Sequence, residues 1–371
     1  MKTNIIKKAV CTLLAASCLF SVSCGQKRSE LALYGVGPDG DVMAGMTEGM
    51  FSYFLSQQKS QYYTVLRFND NTITSDSPEI WNRKAPSGKT FGEEFFEDAL
   101  DEAETLMTAN TMLYSMPSAD SKKKHYELPE DYLDYIDSLV AQNAIEKYGS
   151  VMAFEDYLLN FGATLEDYTN LYIMTANADL LKEALFADGT GAYQITEEEK
   201  KQYFANNYYS VRHIFINTSY DEKIDGTKAP ASPAETQKRT EKASEILAFI
   251  RGGGTYEEAE KEFTQSYVTV YAGVSSMDIN SSTANAPELG EALKTMSVGE
   301  VREVTSKYGI HIIQRVKTDP EAFDDNESVY VGIRNAIINK LYPEIVDANR
   351  DFVTVNRDVV EKYSLATAVL P

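Results

Sequence analysis

Near residue 208 the chain changes its hydrophobic period, and that change limits it to a fold built of two kinds of part. Upstream, apolar residues recur at helical spacing between recognisable caps and breakers. "LPEDYLDYIDSLVAQNAIEKYG" (128–149) begins with Pro129 near the first helical position and stops at Gly149. "SVMAFEDYLLNFG" (150–162) stops at Gly162, and "ATLEDYTNLYIMTANADLLKEALF" (163–186) opens with Thr164 and Asp167 spaced as a capping box. "TEEEKKQYFANNY" (196–208) opens with the full box, Thr196 and Glu199. Nearer the N-terminus, a strand-like start at about 33 gives way to helical stretches over 46–58 and 88–113.

Downstream, "YYSVRHIFIN" alternates as a strand does. Helices follow over 233–253 and 255–265, then a strand-like run (266–277), a helix (286–296), a turn and strand (297–309) and a closing strand (310–318). One more long helix, over 326–352, precedes a short tail. The expected fold class is α+β, with the sheet-forming segment inserted between the N-terminal helices and the C-terminal helix.

The first 23 residues read as a leader. Lys2, Lys7 and Lys8 precede the apolar run "AVCTLLAASCLFSVS", which has signal-peptide length and is too short for a stable span. Ser21 and Ser23 lead into Cys24, an arrangement that resembles a bacterial lipobox, so Cys24 is the expected lipidation site. Cys18 is an alternative, and an ordinary secretory signal is the plainer one. All three cysteines (11, 18 and 24) lie here, which excludes a disulfide framework or thiolate zinc site downstream. The expected division is 1–23 signal peptide, 24–32 tether, 33–207 N-terminal helical domain, 208–318 sheet-containing domain, and 319–371 C-terminal helix and tail.

Charge narrows the partners. The chain carries a net charge of −21, and loss of the three leader lysines would make it more acidic. Nucleic-acid binding through phosphates needs clustered Lys and Arg, so no nucleic-acid partner is expected. The aromatic stripe Tyr132, Tyr135, Phe154, Tyr157, Phe161, Tyr168 and Tyr172 reads first as helix–helix core and second as a peptide-binding groove. No repeated βαβ pattern supports a solute-binding lipoprotein.

Only three histidines occur. His125 lies in the polar break "SADSKKKHY" and reads as a loop residue without a role. His213 in "VRHIFI" and His311 in "YGIHII" both sit in strands. Two histidines without a nearby carboxylate or thiolate make an incomplete zinc site, so no metal and no cofactor is expected.

"VRHIFI", a helix ending "FIRGGGTYEEAEKEFT", then "SVGEVREV" and "YGIHII" resemble, in order over 208–318, a parvulin-type peptidyl-prolyl cis-trans isomerase domain. That resemblance implies a small antiparallel sheet with surrounding helices, and it makes His213 and His311 a catalytic pair. The flanking helices and the leader resemble PrsA-type extracytoplasmic foldase lipoproteins and the SurA-type periplasmic chaperones, in which N-terminal helices and a C-terminal helix form a chaperone lobe. The resemblance implies unfolded or partly folded exported polypeptides as partners, a lipid anchor in an envelope membrane, and a location on the outer face of the cytoplasmic membrane or another envelope membrane. Homodimerisation through the helical lobe is compatible with it.

The sequence departs from the family where the substrate would sit. Ser266 falls where active parvulins carry Asp or Cys, and is expected to be catalytic. "YAGVSSM" replaces a glycine-rich segment, leaving Gly273 and placing Met277 at the aromatic's position. The pocket methionine falls near Asn285 and is not retained, while Leu289 takes the pocket phenylalanine's position. Met277 and Leu289 are the expected substrate-binding residues. Two readings stand: an isomerase of X–Pro bonds, and a chaperone whose isomerase-like domain binds substrate with little turnover.

Overall fold

The computed structural model describes residues 31–363 except 71, 74–75, 118–125, 223–226, 264 and 279–285. The leader with Cys24, the loop histidine His125 and Asn285 lie outside the described residues. The chain divides into two compact units, one taking residues up to Gln194 together with Leu341 onward, the other Ile195–Lys340. The second unit thus reaches beyond 208–318 on both sides.

In the first unit, strands β1 (Leu31–Val36) and β2 (Val42–Thr47) form an antiparallel hairpin. Thr47 ends β2 and caps helix α1 (Glu48–Asn69), its hydroxyl accepting from the Met50 amide at 3.1 Å. A single turn, α2 (Pro78–Trp81), precedes the 25-residue helix α3 (Phe91–Ser115), opened by a capping box of Thr90 and Glu93. Helix α4 (Glu130–Tyr148) ends on Gly149, whose φ of 83° is left-handed and favours glycine. Ser150 caps α5 (Val151–Leu158), and the expected Thr164/Asp167 box opens α6 (Leu165–Leu185).

The aromatic stripe is largely core. Phe154 meets Tyr168 edge-on at 4.7 Å and Tyr53 meets Phe161 at 5.3 Å, while Tyr135 points outward at 58 % exposure. The remainder of this core joins β1, β2 and α1 to α3 through Leu33, Met46, Phe51, Phe95 and Met107.

The second unit begins with α7 (Glu197–Asn207), opened by the Thr196/Glu199 box. It passes directly into β3 (Tyr208–Asn217), followed by a small hairpin of β4 (Tyr220–Glu222) and β5 (Lys228–Pro230). Helices α8 (Pro233–Arg251) and α9 (Tyr256–Glu262) precede β6 (Val268–Asp278). Helix α10 (Pro287–Thr295) leads to β7 (Val301–Ser306) and β8 (Gly309–Val316). The four long strands form an antiparallel sheet in the order β6-β3-β8-β7.

Alternation along β3 and β8 sorts the sheet's two faces. Ile214, Ile216, Ile310 and Ile312 point to one face, where Ala243 and Ile246 of α8 and Tyr256 and Ala259 of α9 bury them. Val211 and Ile313 point to the other, under Leu289, Leu293 and Met296. Gly309 opens β8 at φ 153°, and a Cβ there would fall 2.1 Å from the Ile216 carbonyl oxygen. Only glycine lets β8 lie this close to β3 at that point.

Helix α11 (Glu327–Asp347) follows, and the division between the units falls within it. The first unit is then completed by β9 (Val353–Val355), paired antiparallel with β1, and by the short α12 (Arg357–Val360), whose Val359 and Val360 enter its core. The architecture is α+β, as expected. Its helical lobe also carries a three-stranded sheet, β2-β1-β9, of which the sequence suggested only the strand-like start.

Candidate active site

His213 and His311 stand on neighbouring strands and on the same face as Val211 and Ile313. β3 and β8 are registered with His213 opposite Ile313 and Phe215 opposite His311. His213 Nε2 lies 2.9 Å from His311 Nδ1, and His311 Nε2 lies 2.8 Å from the Ser306 hydroxyl at the end of β7. Ser306 Oγ also accepts from the Tyr308 amide at 3.2 Å.

Both imidazoles are almost fully enclosed, at 4 % and 5 % exposure. Burial, and then the charge of His311 beside it, pushes His213 down to about 3. Burial also lowers His311, with Glu288 on α10 opposing. Near neutral pH both rings are therefore uncharged, and each carries one N–H. Two proton arrangements satisfy the row. In one, Ser306 donates to His311 and His311 to His213. In the other, His213 donates to His311 and His311 to Ser306.

Aromatic rings extend the pair on both sides. Tyr271 of β6 lies parallel to His213 (centroids 4.5 Å apart, 7° between planes), and Phe215 lies against His311 at 4.8 Å. With the two histidines 5.1 Å apart, the row runs Tyr271–His213–His311–Phe215. A register shift between Val211 and His213 in the β3–β6 pairing sets Tyr271 opposite His213. Beneath the sheet, the Tyr256 hydroxyl donates to the Ile312 carbonyl and ties α9 to β8.

The other residues singled out from the sequence are placed differently from the pair. Ser266 is exposed in the turn before β6, five positions ahead of Tyr271, and the pair's hydrogen bonds run to each other and to Ser306. Leu289 is buried on the inner side of α10, against Val211 and Ile313, and Met277, opposite Tyr209, is half-buried against the same cluster. Sequence reasoning missed Ser306, Tyr271 and Phe215.

Elsewhere, a cavity of about 400 Å³ in the first unit is lined by Tyr126, Pro129, Asp131, Tyr132, Tyr135 and Leu180. Among the described residues no group of three His, Cys, Asp or Glu side chains could hold a metal ion, and no helix is long and apolar enough to cross a membrane.

Neutral, mutually bonded imidazoles in a dry aromatic setting can fix tautomers and exclude water. They offer no strong nucleophile and no charge, which suits a reaction that breaks no covalent bond.

Residues 193–318 match the family model of the PPIC-type PPIASE domain. No curated protein matches the chain. Among solved structures, the peptidylprolyl isomerase PrsA of Bacillus anthracis is 19 % identical, over 68 % of this chain and 94 % of that one, with a TM-score of 0.24. PrsA of Bacillus cereus is 14 % identical over 76 % and 96 % (TM-score 0.31). The foldase protein PrsA of Streptococcus pneumoniae is 14 % identical over 76 % and 99 % (TM-score 0.29). On the family match, together with the antiparallel sheet that carries His213 and His311, the chain contains a parvulin-type peptidyl-prolyl isomerase domain within residues 193–318.

Proposed function

We propose that the second unit catalyses cis–trans isomerisation of X–Pro bonds in unfolded polypeptides, and that the whole chain is a membrane-anchored extracytoplasmic foldase acting on exported proteins. The observation that carries the first part is the neutral His213–His311–Ser306 row, bonded at 2.9 and 2.8 Å inside the matched domain. Rotation about a peptide bond meets a barrier of about 18–20 kcal/mol because it interrupts amide resonance. The twisted amide is less polar at oxygen than the planar one, so a dry site favours it. The histidines hold each other and Ser306 in one hydrogen-bonded row and take no proton away.

Exchange NMR on the full chain with a panel of X–Pro peptides tests this. The wild type should interconvert the isomers faster than buffer, and His213→Ala should lose at least about tenfold of that rate while circular dichroism reports a folded protein. Exchange at the buffer rate for every peptide would remove the isomerase reading. Anchoring rests on the leader and Cys24; palmitate should label the wild type in bacterial cells and leave Cys24→Ala unlabelled.

The second reading, a chaperone that holds unfolded chains with little turnover, is favoured by the position of Ser266. It is exposed and away from the pair, where active family members carry an acid or thiol. In that case the full chain would suppress aggregation of a denatured client, and His213→Ala would do so equally well.

A further inference from the structure

The histidine pair sits where a substrate cannot reach it directly. α10 covers the Val211 and Ile313 half of the face, and both imidazoles are enclosed. Of the two rings that flank the pair, Phe215 is half-buried and Tyr271 is 44 % exposed. Tyr271 belongs to β6, an edge strand whose outer side pairs with no other strand among the described residues. One face of its ring is taken by His213 at 4.5 Å, so its exposure belongs to the opposite face and the ring's rim.

We propose that Tyr271 is the substrate-contacting residue of this site, its outer ring face forming the platform on which the proline ring of an X–Pro segment lies. The proposal rests on the isomerase reading above and names the contact that reading lacks. Proline-rich segments are recognised on aromatic surfaces, where a rigid ring meets a flat face and little conformational freedom is lost. Tyrosine adds a large apolar area fixed by only two torsions. Here the ring is held further by its parallel contact with His213, so a substrate on its outer face lies one ring away from the neutral imidazoles. None of the residues expected from the sequence does this: Leu289 is buried on the inner side of α10, Met277 is half-buried, and Ser266 lies in the turn before β6, five positions ahead of Tyr271.

The test uses the full chain and peptides of the form Ac-Ala-Xaa-Pro-Phe-NH2, with Xaa Leu, Lys or Glu. NMR titration gives the dissociation constant, and exchange at saturating peptide gives the turnover rate. An aromatic contact of this kind corresponds to about a two- to tenfold change in affinity. Tyr271→Ala and Tyr271→Leu should weaken peptide binding by that factor, similarly for all three peptides, and Tyr271→Phe should recover the affinity lost in Tyr271→Ala. Urea unfolding shows whether each variant is folded. Unchanged affinity in a folded Tyr271→Ala would overturn the proposal, as would tighter binding or faster exchange, which would make the ring a plug over the pair. Wild type that binds peptide without isomerising it would sink the isomerase reading alone, because the affinity series still tests Tyr271. Wild type that neither binds nor isomerises would overturn both.

Discussion

At His213, burial and the neighbouring His311 act in the same direction, and both oppose protonation. The folded-state value is lowered, so as pH falls below about 6.5 the unfolded chain takes up a proton that the folded chain refuses. Stability held by the neutral pair is therefore complete above that pH and is lost progressively as pH falls toward the folded value. Between pH 7 and pH 5 the loss should be about 1–2 kcal/mol. Urea midpoints of wild type and His213→Asn across this range isolate the share of His213, since acids elsewhere cancel in the difference. A wild-type slope equal to the variant's would mean that the pair is not buried neutral. The histidines were legible in the sequence because they are scarce and sit in strand patterns with a family motif around them. Ser306 was not, because its hydroxyl reaches His311 only through the β7–β8 hairpin return. Tyr271 was hidden by the register shift in β3–β6, which no count along the chain discloses.

Among the elements, those with strong local signals were read well. The boxes at Thr164 and Thr196 and the left-handed stop at Gly149 are local hydrogen-bond and backbone requirements, so they survive any tertiary context. Helix α1 was read only over 46–58, yet it continues to Asn69. Its second half presents Val65 and Phe68 to solvent, the latter at 89 %, which spoils the apolar periodicity that would have announced it. The last helix was expected to run to 352 and ends at Asp347, followed by a single 3-10 turn, Arg350–Phe352. Strand β9 is three residues long and is defined by its partner β1, so it has no local signature. Helix and strand identity came from neighbours in sequence; pairing across hundreds of residues did not.

For the whole molecule, the chain's one tryptophan is a convenient probe, since Trp81 is buried in the first unit beside Tyr62 and Phe95. Val360, fully buried in the same core, comes from the far end of the chain. Val360→Ala should cost about 2 kcal/mol of the first unit's stability, from lost burial and the cavity left behind. Trp81 fluorescence should follow that loss as a lower urea midpoint, while X–Pro peptide binding by the second unit keeps its midpoint. Equal shifts in both readouts would mean that the units unfold as one. The pairing of β1 with β9 has a kinetic consequence as well. Asn356 donates its amide to the Ala32 carbonyl at 2.9 Å, and its side chain donates to Leu31 across 325 positions. Contacts of such long range form slowly from an open chain. The continuous segment Ile195–Lys340 can fold as soon as it is complete, and doing so shortens the loop that remains to be closed. During synthesis the inserted unit is then finished first, and the lobe that brackets it must wait for the final residues.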